Sequence, residues 1–179
     1  MRIRGFLILL GVALVFSVSG CQNQPKPAEG TLVKQEPNPI MVKAVQIDPR
    51  TSNFPTKLSE FSFDLDSDNE EEKIELYTAA GHGPDGKMLW DDGQRWLLVV
   101  IDGDKYYPLY SEFVQIGEVY FGLSKVGEQM TPQVNIFIST HSGMQIIDFT
   151  FNNDKGLYEG EIVYRPSEKN QYYTSIPSY

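Results

Sequence analysis

The sequence predicts an all-β fold, a single antiparallel sandwich or barrel-like domain, and three observations support this prediction. The chain is rich in aromatic residues, with ten Tyr and ten Phe, and aromatic side chains favour strands. Beyond residue 40, apolar residues alternate with polar ones or form continuous runs of strand length. Turns rich in glycine separate these segments, giving roughly eight to ten short strands, a spacing typical of an antiparallel sandwich or barrel.

The predicted strands follow one another from residue 41. The first covers residues 41–47 and places Met41, Val45 and Ile47 on one face. The continuous apolar run 96–101 is predicted to be the central strand, because a strand buried on both faces needs no polar alternation. The other predicted strands cover residues 61–65, 74–78, 113–116, 119–123, 134–138, 145–151 and 158–164.

Turn signals lie between these segments. Asp85-Gly86, Asp92-Gly93 and Asp102-Gly103 are pairs of the hairpin type, and residues 141–143 and 152–156 form longer predicted turns. The sequence also allows one helix, either in residues 50–59 or around residues 111–113, although neither segment has clear helical periodicity. The folded domain is predicted to span residues 41–179.

The first 20 residues have the layout of an export signal. Arg2 and Arg4 precede an apolar run, Phe6–Val18, and small residues then lead to Cys21, the only cysteine in the chain. The sequence Val18-Ser19-Gly20-Cys21 resembles the lipobox of bacterial lipoproteins. That resemblance implies cleavage before Cys21 and lipid on the Cys21 sulfur.

The alternatives for this segment are a transmembrane helix and, for Cys21, an ordinary buried or disulfide-bonded cysteine. A transmembrane helix needs roughly 20 apolar residues, and the run Phe6–Val18 is shorter. A structural disulfide needs a second cysteine, which the chain does not contain.

The lipoprotein interpretation divides the chain into three parts. Residues 1–20 are the signal peptide, and residues 21–40 carry the lipidated Cys21 and a tether with four prolines. Residues 41–179 are the extracytoplasmic domain. The expected location is the outer face of a cell membrane, and the first expected partner is the membrane itself, bound through the lipid on Cys21.

The net charge of the chain limits the classes of partner that it is expected to bind by electrostatic attraction. Residues 1–20 contain two arginines and no acidic residue, so their removal takes the formal net charge from −9 to −11. A chain this acidic is not expected to bind nucleic acid or an anionic membrane surface by electrostatic attraction. Its charge instead favours the binding of cations.

An acidic segment at residues 64–72 is the main candidate site, with six acidic residues in nine positions. Alternate aspartates can turn their carboxylates towards one centre, and calcium binds roughly six to eight oxygen ligands. Asn69 follows them where the backbone must be left-handed, a conformation that asparagine tolerates. The predicted calcium ligands are Asp64, Asp66, Asp68, Glu70 through its backbone carbonyl, and Glu72.

The acidic segment resembles the calcium loops of the FG-GAP and VCBS families, in which two strands flank an Asp-x-Asp-x-Asp loop. Asn69 departs from that pattern, where glycine is usual. An EF-hand would place Glu75 at its last ligand position, but it needs a helix on each side, and the flanks here have strand periodicity. A solvated acidic turn without an ion is the remaining alternative.

The sequence assigns no catalytic residue. His82 and His141 both lie in predicted turns, and the chain lacks the common nucleophile, zinc and phosphate-loop motifs. Trp90 and Trp96 are candidate ligand-binding residues, because an exposed tryptophan can stack on a sugar ring, but the sequence favours the alternative that both cap the core beside the turn. The sequence favours a non-enzymatic binding module with an unknown envelope protein or glycan as partner. The alternatives are a glycan-binding domain and an envelope hydrolase that uses acidic residues and a histidine.

Overall fold

The computed structural model describes residues 38–51, 53–127 and 131–165, which all belong to one compact unit, Glu36–Tyr179. These residues form nine β-strands and no helix. The strands are β1 (Ile40–Lys43), β2 (Thr56–Phe63), β3 (Glu72–Thr78), β4 (Gly93–Asp102), β5 (Lys105–Gln115), β6 (Gly117–Val126), β7 (Thr131–Thr140), β8 (Gly143–Asn152) and β9 (Leu157–Tyr164). No described helix is long and apolar enough to cross a membrane.

The strands form two antiparallel sheets that pack face to face, which confirms the predicted sandwich. Strands β2 to β5 form a four-stranded sheet in chain order, and the second sheet has the order β1-β9-β8-β7-β6. The chain therefore makes two consecutive meanders, and β1 joins the edge of the second meander beside β9.

The core lies between the two sheets and takes side chains from both. In β3, Ile74, Leu76 and Thr78 point inward and are fully buried or nearly so, as their alternation predicts. In β7, every second residue is buried. The largest fully buried core side chains are Tyr158, Phe149, Ile74, Leu98, Ile136, Val100, Val119 and Val134.

Strand β4 is buried on both faces, as its apolar run predicts. It lies between β3 and β5, and Leu98 belongs to the core between the sheets. Leu97 and Val99 point to the opposite face, yet neither is exposed to solvent. The connection from β1 to β2, which we call the strap (residues 44–51 and 53–55), crosses this outer face. A continuous apolar strand is stable here because both of its faces have cover.

Three predictions about the elements are wrong. The first strand, β1, ends at Lys43, and it buries the side of Val42 rather than the side of Met41, Val45 and Ile47, which are exposed. The second is the helix: residues 111–113 belong to β5, and residues 56–59 belong to β2. The third is Asp92-Gly93, which is not a hairpin turn because Gly93 is the first residue of β4.

The other turn predictions are confirmed. Asp102-Gly103 connects β4 to β5, with Gly103 in the left-handed region at φ 56°. The longer turns connect β7 to β8 and β8 to β9. The predicted signal peptide 1–20, Cys21 and the predicted tether up to residue 37 lie outside the described residues.

Candidate metal centre

The acidic segment forms the loop between β2 and β3, as the strand periodicity of its flanks predicts. Two of its residues have left-handed backbone, Ser67 at φ 66° and Asn69 at φ 71°. The left-handed backbone predicted for Asn69 is therefore confirmed, whereas no pattern in the sequence predicts it at Ser67. These two conformations turn the chain tightly, so that aspartates separated by one residue face the inside of the loop.

Three of the predicted ligands come together. One carboxylate oxygen from each of Asp64, Asp66 and Glu72 lies within 4.8 Å of the other two. The aspartates also accept hydrogen bonds from the loop backbone: Asp64 Oδ1 and Asp66 Oδ1 both accept the N–H of Asp68, at 3.2 and 3.1 Å. These bonds fix the loop around the three carboxylates.

Glu72 is the buried member of the three. Only 3 % of its surface is exposed, and its Oε2 accepts the backbone N–H of Leu65 at 2.6 Å. Burial raises the pKa of Glu72 to about 7, and the negative charges of Asp66 and Asp68 act in the same direction. A buried carboxylate beside other carboxylates is unfavourable unless a proton or a cation neutralises it.

The pKa of Asp66 is also raised. Burial is the largest cause that raises its pKa, and the nearby charges of Asp68, Asp102 and Asp64 add to it. The pKa values of Asp66 and Glu72 are both raised, because negative charge accumulates inside the loop.

The carboxylates of Asp68 and Glu70 do not belong to this group, and the backbone carbonyl predicted as the ligand from Glu70 stays a prediction. Asp68 is exposed, and its Oδ1 accepts the backbone N–H of Glu70 at 2.7 Å. Glu70 is also exposed. The structure thus gathers the carboxylates of Asp64, Asp66 and Glu72 and leaves the side chains of Asp68 and Glu70 at the surface.

Two residues from other turns lie near the three carboxylates, and no motif in the sequence points to either as part of the site. Asn153, in the β8–β9 turn, donates its side-chain N–H to the backbone oxygen of Asp66 at 3.0 Å. Asp102, at the β4–β5 turn, adds negative charge that raises the pKa of Glu72. Both lie in turns that the sequence predicts, but a turn signal does not say which other loop the turn will meet.

The remaining candidate residues lie apart from this cluster. Trp96 is only 2 % exposed and belongs to the core, so it offers no face to a surface ligand. Trp90 is 53 % exposed, but one face of its indole stacks on Trp96 at a centroid distance of 6.0 Å. Of the two predicted ligand-binding tryptophans, only Trp90 therefore offers a face to a surface ligand.

The two histidines are exposed and show no catalytic arrangement among the described residues. His82 Nδ1 lies 3.5 Å from the hydroxyl of Thr56. His141 donates its backbone N–H to Ile116 in the turn between β7 and β8. No hydrogen bond joins either imidazole to a described carboxylate.

Chemically, the three converging carboxylates can hold one hard divalent cation, because they provide only oxygen ligands. The loop lies at the end of the sandwich that also carries the β4–β5 and β8–β9 turns. Comparison of the chain with protein-family models, with curated proteins and with solved structures finds no match.

Proposed function

We propose that this protein is a lipid-anchored, extracytoplasmic binding module in which Asp64, Asp66 and Glu72 hold a structural calcium ion. The observation that supports the ion most directly is the position of Glu72, 3 % exposed and within 4.8 Å of two aspartates. The proposed anchor is lipid on Cys21, and its support is the lipobox-like sequence that ends there.

Calcium is the proposed ion because the three converging ligands are all carboxylate oxygens. Magnesium requires a nearly ideal octahedron and is usually held by one or two carboxylates, whereas calcium accepts irregular sets of carboxylates, carbonyls and water. Zinc favours nitrogen and sulfur ligands, and no histidine or cysteine joins the described cluster.

The proposed role of the ion is structural. A bound cation compensates the repulsion among Asp64, Asp66 and Glu72 and holds the β2–β3 loop in one conformation. Because Asn153 contacts the backbone of Asp66, the ion would also stabilise the contact between this loop and the second sheet. Extracellular calcium modules bind with dissociation constants of roughly 10⁻⁴–10⁻³ M, a range that suits such a role.

Thermal unfolding in calcium and in chelator tests the ion. With a dissociation constant of about 10⁻⁴ M, roughly 10 mM calcium should stabilise the protein by about 2.7 kcal/mol, which raises the midpoint by several degrees. Asp66→Ala should abolish the rise. A wild-type midpoint that is the same in calcium and in chelator would contradict the proposal.

Asp85→Ala is the matched control for this variant. Like Asp66, Asp85 accepts a backbone N–H in a turn, here from Lys87 at 3.2 Å, but it is remote from the cluster in sequence and is not one of its members. The control variant should keep the full calcium response. Loss of the response in both variants would show that the effect does not depend on the acidic loop.

Metabolic labelling with a fatty acid tests the anchor separately. The wild-type protein should incorporate the label and sediment with membranes, whereas Cys21→Ala should do neither. Labelling that persists in Cys21→Ala would contradict lipidation at this residue without bearing on the calcium site.

A further inference from the structure

A groove lies on the outer face of the four-stranded sheet, between the strap and β4. Its volume is about 680 Å³, within the range of roughly 300–1,000 Å³ that is common for small-molecule sites. The groove is lined by Pro49, Thr51, Asn53, Phe54, Ala79, Arg95 and Ser111. The groove lies beside the first half of β4. The acidic loop lies near the C-terminal end of that strand, where Lys73 pairs with Ile101.

Arg95 is the charged group of this groove. It is exposed, and its guanidinium makes no ion pair or side-chain hydrogen bond with any described residue. Arg50 on the strap is different, because it forms ion pairs with Asp48 and Glu75, both at 2.7 Å. An unpaired guanidinium presents a planar fork of N–H donors, the geometry that fits a carboxylate.

The rest of the groove offers both polar and apolar contacts. Ser111 pairs with Leu97 in the sheet, so its hydroxyl lies on the same face as Arg95. Phe54 and Pro49 provide an apolar wall on the strap side. A carboxylate on Arg95 would leave the remainder of a ligand against this wall.

A second aromatic ring stands beside Arg95. Phe113 is directly opposite Arg95 in the β4–β5 pair and is 57 % exposed. Its ring lies over Gly93, where an added Cβ would come within 2.1 Å of the ring. Gly93 therefore makes room for this exposed ring next to Arg95, at the edge of the groove rather than in its lining.

We propose that this groove binds a small organic acid that carries a carboxylate next to a ring or short apolar chain. Arg95 holds the carboxylate, and Phe54 and Pro49 contact the apolar portion. The strap is held in place by the ion pair between Arg50 and Glu75, so the groove exists before the ligand arrives, which lowers the entropic cost of binding.

The test is an NMR titration of the full-length protein in non-ionic detergent with 4-hydroxyphenylacetate as the probe. The signals of Arg95 Nε–H and of the Ser111 and Phe113 amides should shift and saturate. Arg95→Gln should weaken binding by about tenfold to a hundredfold, the usual effect of losing one charge-assisted hydrogen bond. The neutral analogue 4-hydroxyphenylacetamide should bind at least about tenfold less well.

Arg165→Gln is the matched control, since it removes an exposed arginine just after β9, and it should bind the probe like the wild type. Equal affinity in Arg95→Gln, equal affinity for the amide, or shifts outside the groove would each overturn the proposal. The positions of the shifted signals in the wild-type protein show whether the probe binds in the groove, even if a variant folds poorly. The titration needs no calcium, so its outcome does not depend on whether the proposed ion site exists.

Discussion

Glu72 shows how one residue can carry an unfavourable charge inside a stable fold. Its side chain is almost completely buried, its pKa is raised to about 7, and its nearest partners include two other carboxylates. The N–H of Leu65 compensates only part of this cost. An acid in this position is favourable when a proton or a cation shares the site.

The pH dependence of stability follows from this raised pKa. In chelator, the folded state keeps a proton on Glu72 between pH of about 4.5 and 7, where the unfolded state has lost it. We therefore expect stability to fall as pH rises through this window. Denaturant unfolding of the wild type and of Glu72→Gln across this window measures the effect.

In Glu72→Gln the amide oxygen can still accept the N–H of Leu65, but the side chain no longer titrates. The variant should lose the downward slope and should be more stable than the wild type in chelator near pH 8. It should also lose the calcium response. A flat wild-type profile between pH of about 4.5 and 7 would contradict the role assigned to Glu72.

At the scale of elements, the strap is attached to the sheet by the backbone bridge between Val45 and Tyr106 and by an ion pair whose acidic member is buried. Arg50 Nη1 lies 2.7 Å from Oε2 of Glu75, which is itself only 2 % exposed. The hydroxyl of Tyr77 donates to the same oxygen at 2.7 Å, and Arg50 also lies over the ring of Tyr106. Although burial opposes it, this set of partners holds the pKa of Glu75 below its usual value.

We expect Arg50→Met to destabilise the protein by about 2–3 kcal/mol, because it leaves Glu75 buried with weaker partners. Lys57, 3.5 Å from Glu75, limits the loss. Adding Glu75→Gln to Arg50→Met should recover part of the stability, since the uncompensated charge is removed. Urea unfolding of the single and double variants measures both effects.

Asp48→Asn is the control for the strap, because the carboxylate of Asp48 is 39 % exposed. An ion pair so close to solvent contributes at most about 1 kcal/mol. Equal losses in Asp48→Asn and Arg50→Met would mean that the buried pair is not the main attachment of the strap.

At the scale of the whole molecule, the chain passes from one sheet to the other at Ile116, between β5 and β6. Ile116 has a left-handed backbone at φ 46°, donates its N–H to Asp92 and accepts the N–H of His141. Gly117 follows at the first position of β6, where an added Cβ would lie 2.4 Å from the carbonyl oxygen of Ser139. The added Cβ would also lie 2.9 Å from Cγ1 of Val114 in β5, so the two sheets can approach at this corner because residue 117 has no side chain.

Gly117→Ala should therefore destabilise the sandwich by about 1–3 kcal/mol, because backbone atoms must move to admit the methyl group. Gly122→Ala in the same strand is the matched control, since its added Cβ would meet only the ring of Phe137 at 3.5 Å. Thermal unfolding compares the two, and equal stability would contradict the steric role of Gly117.

The sequence by itself determined the class of the fold and the position of the acidic loop. Alternation in β3 and the apolar run in β4 are local consequences of burial, so they can be read without tertiary information. The same reasoning predicted the left-handed backbone at Asn69, because the residue type and its place in the loop are local properties.

Only the tertiary structure decided which side of β1 is buried, which of the predicted ligands converge, and what covers β4. These outcomes depend on contacts between distant segments, such as Asn153 with Asp66 and Arg50 with Glu75. A period-two pattern identifies a strand but does not say which sheet or strap will pack on it. For that reason the sequence predicted four side chains and the backbone carbonyl of Glu70 as ligands, and the fold gathers three of those four side chains.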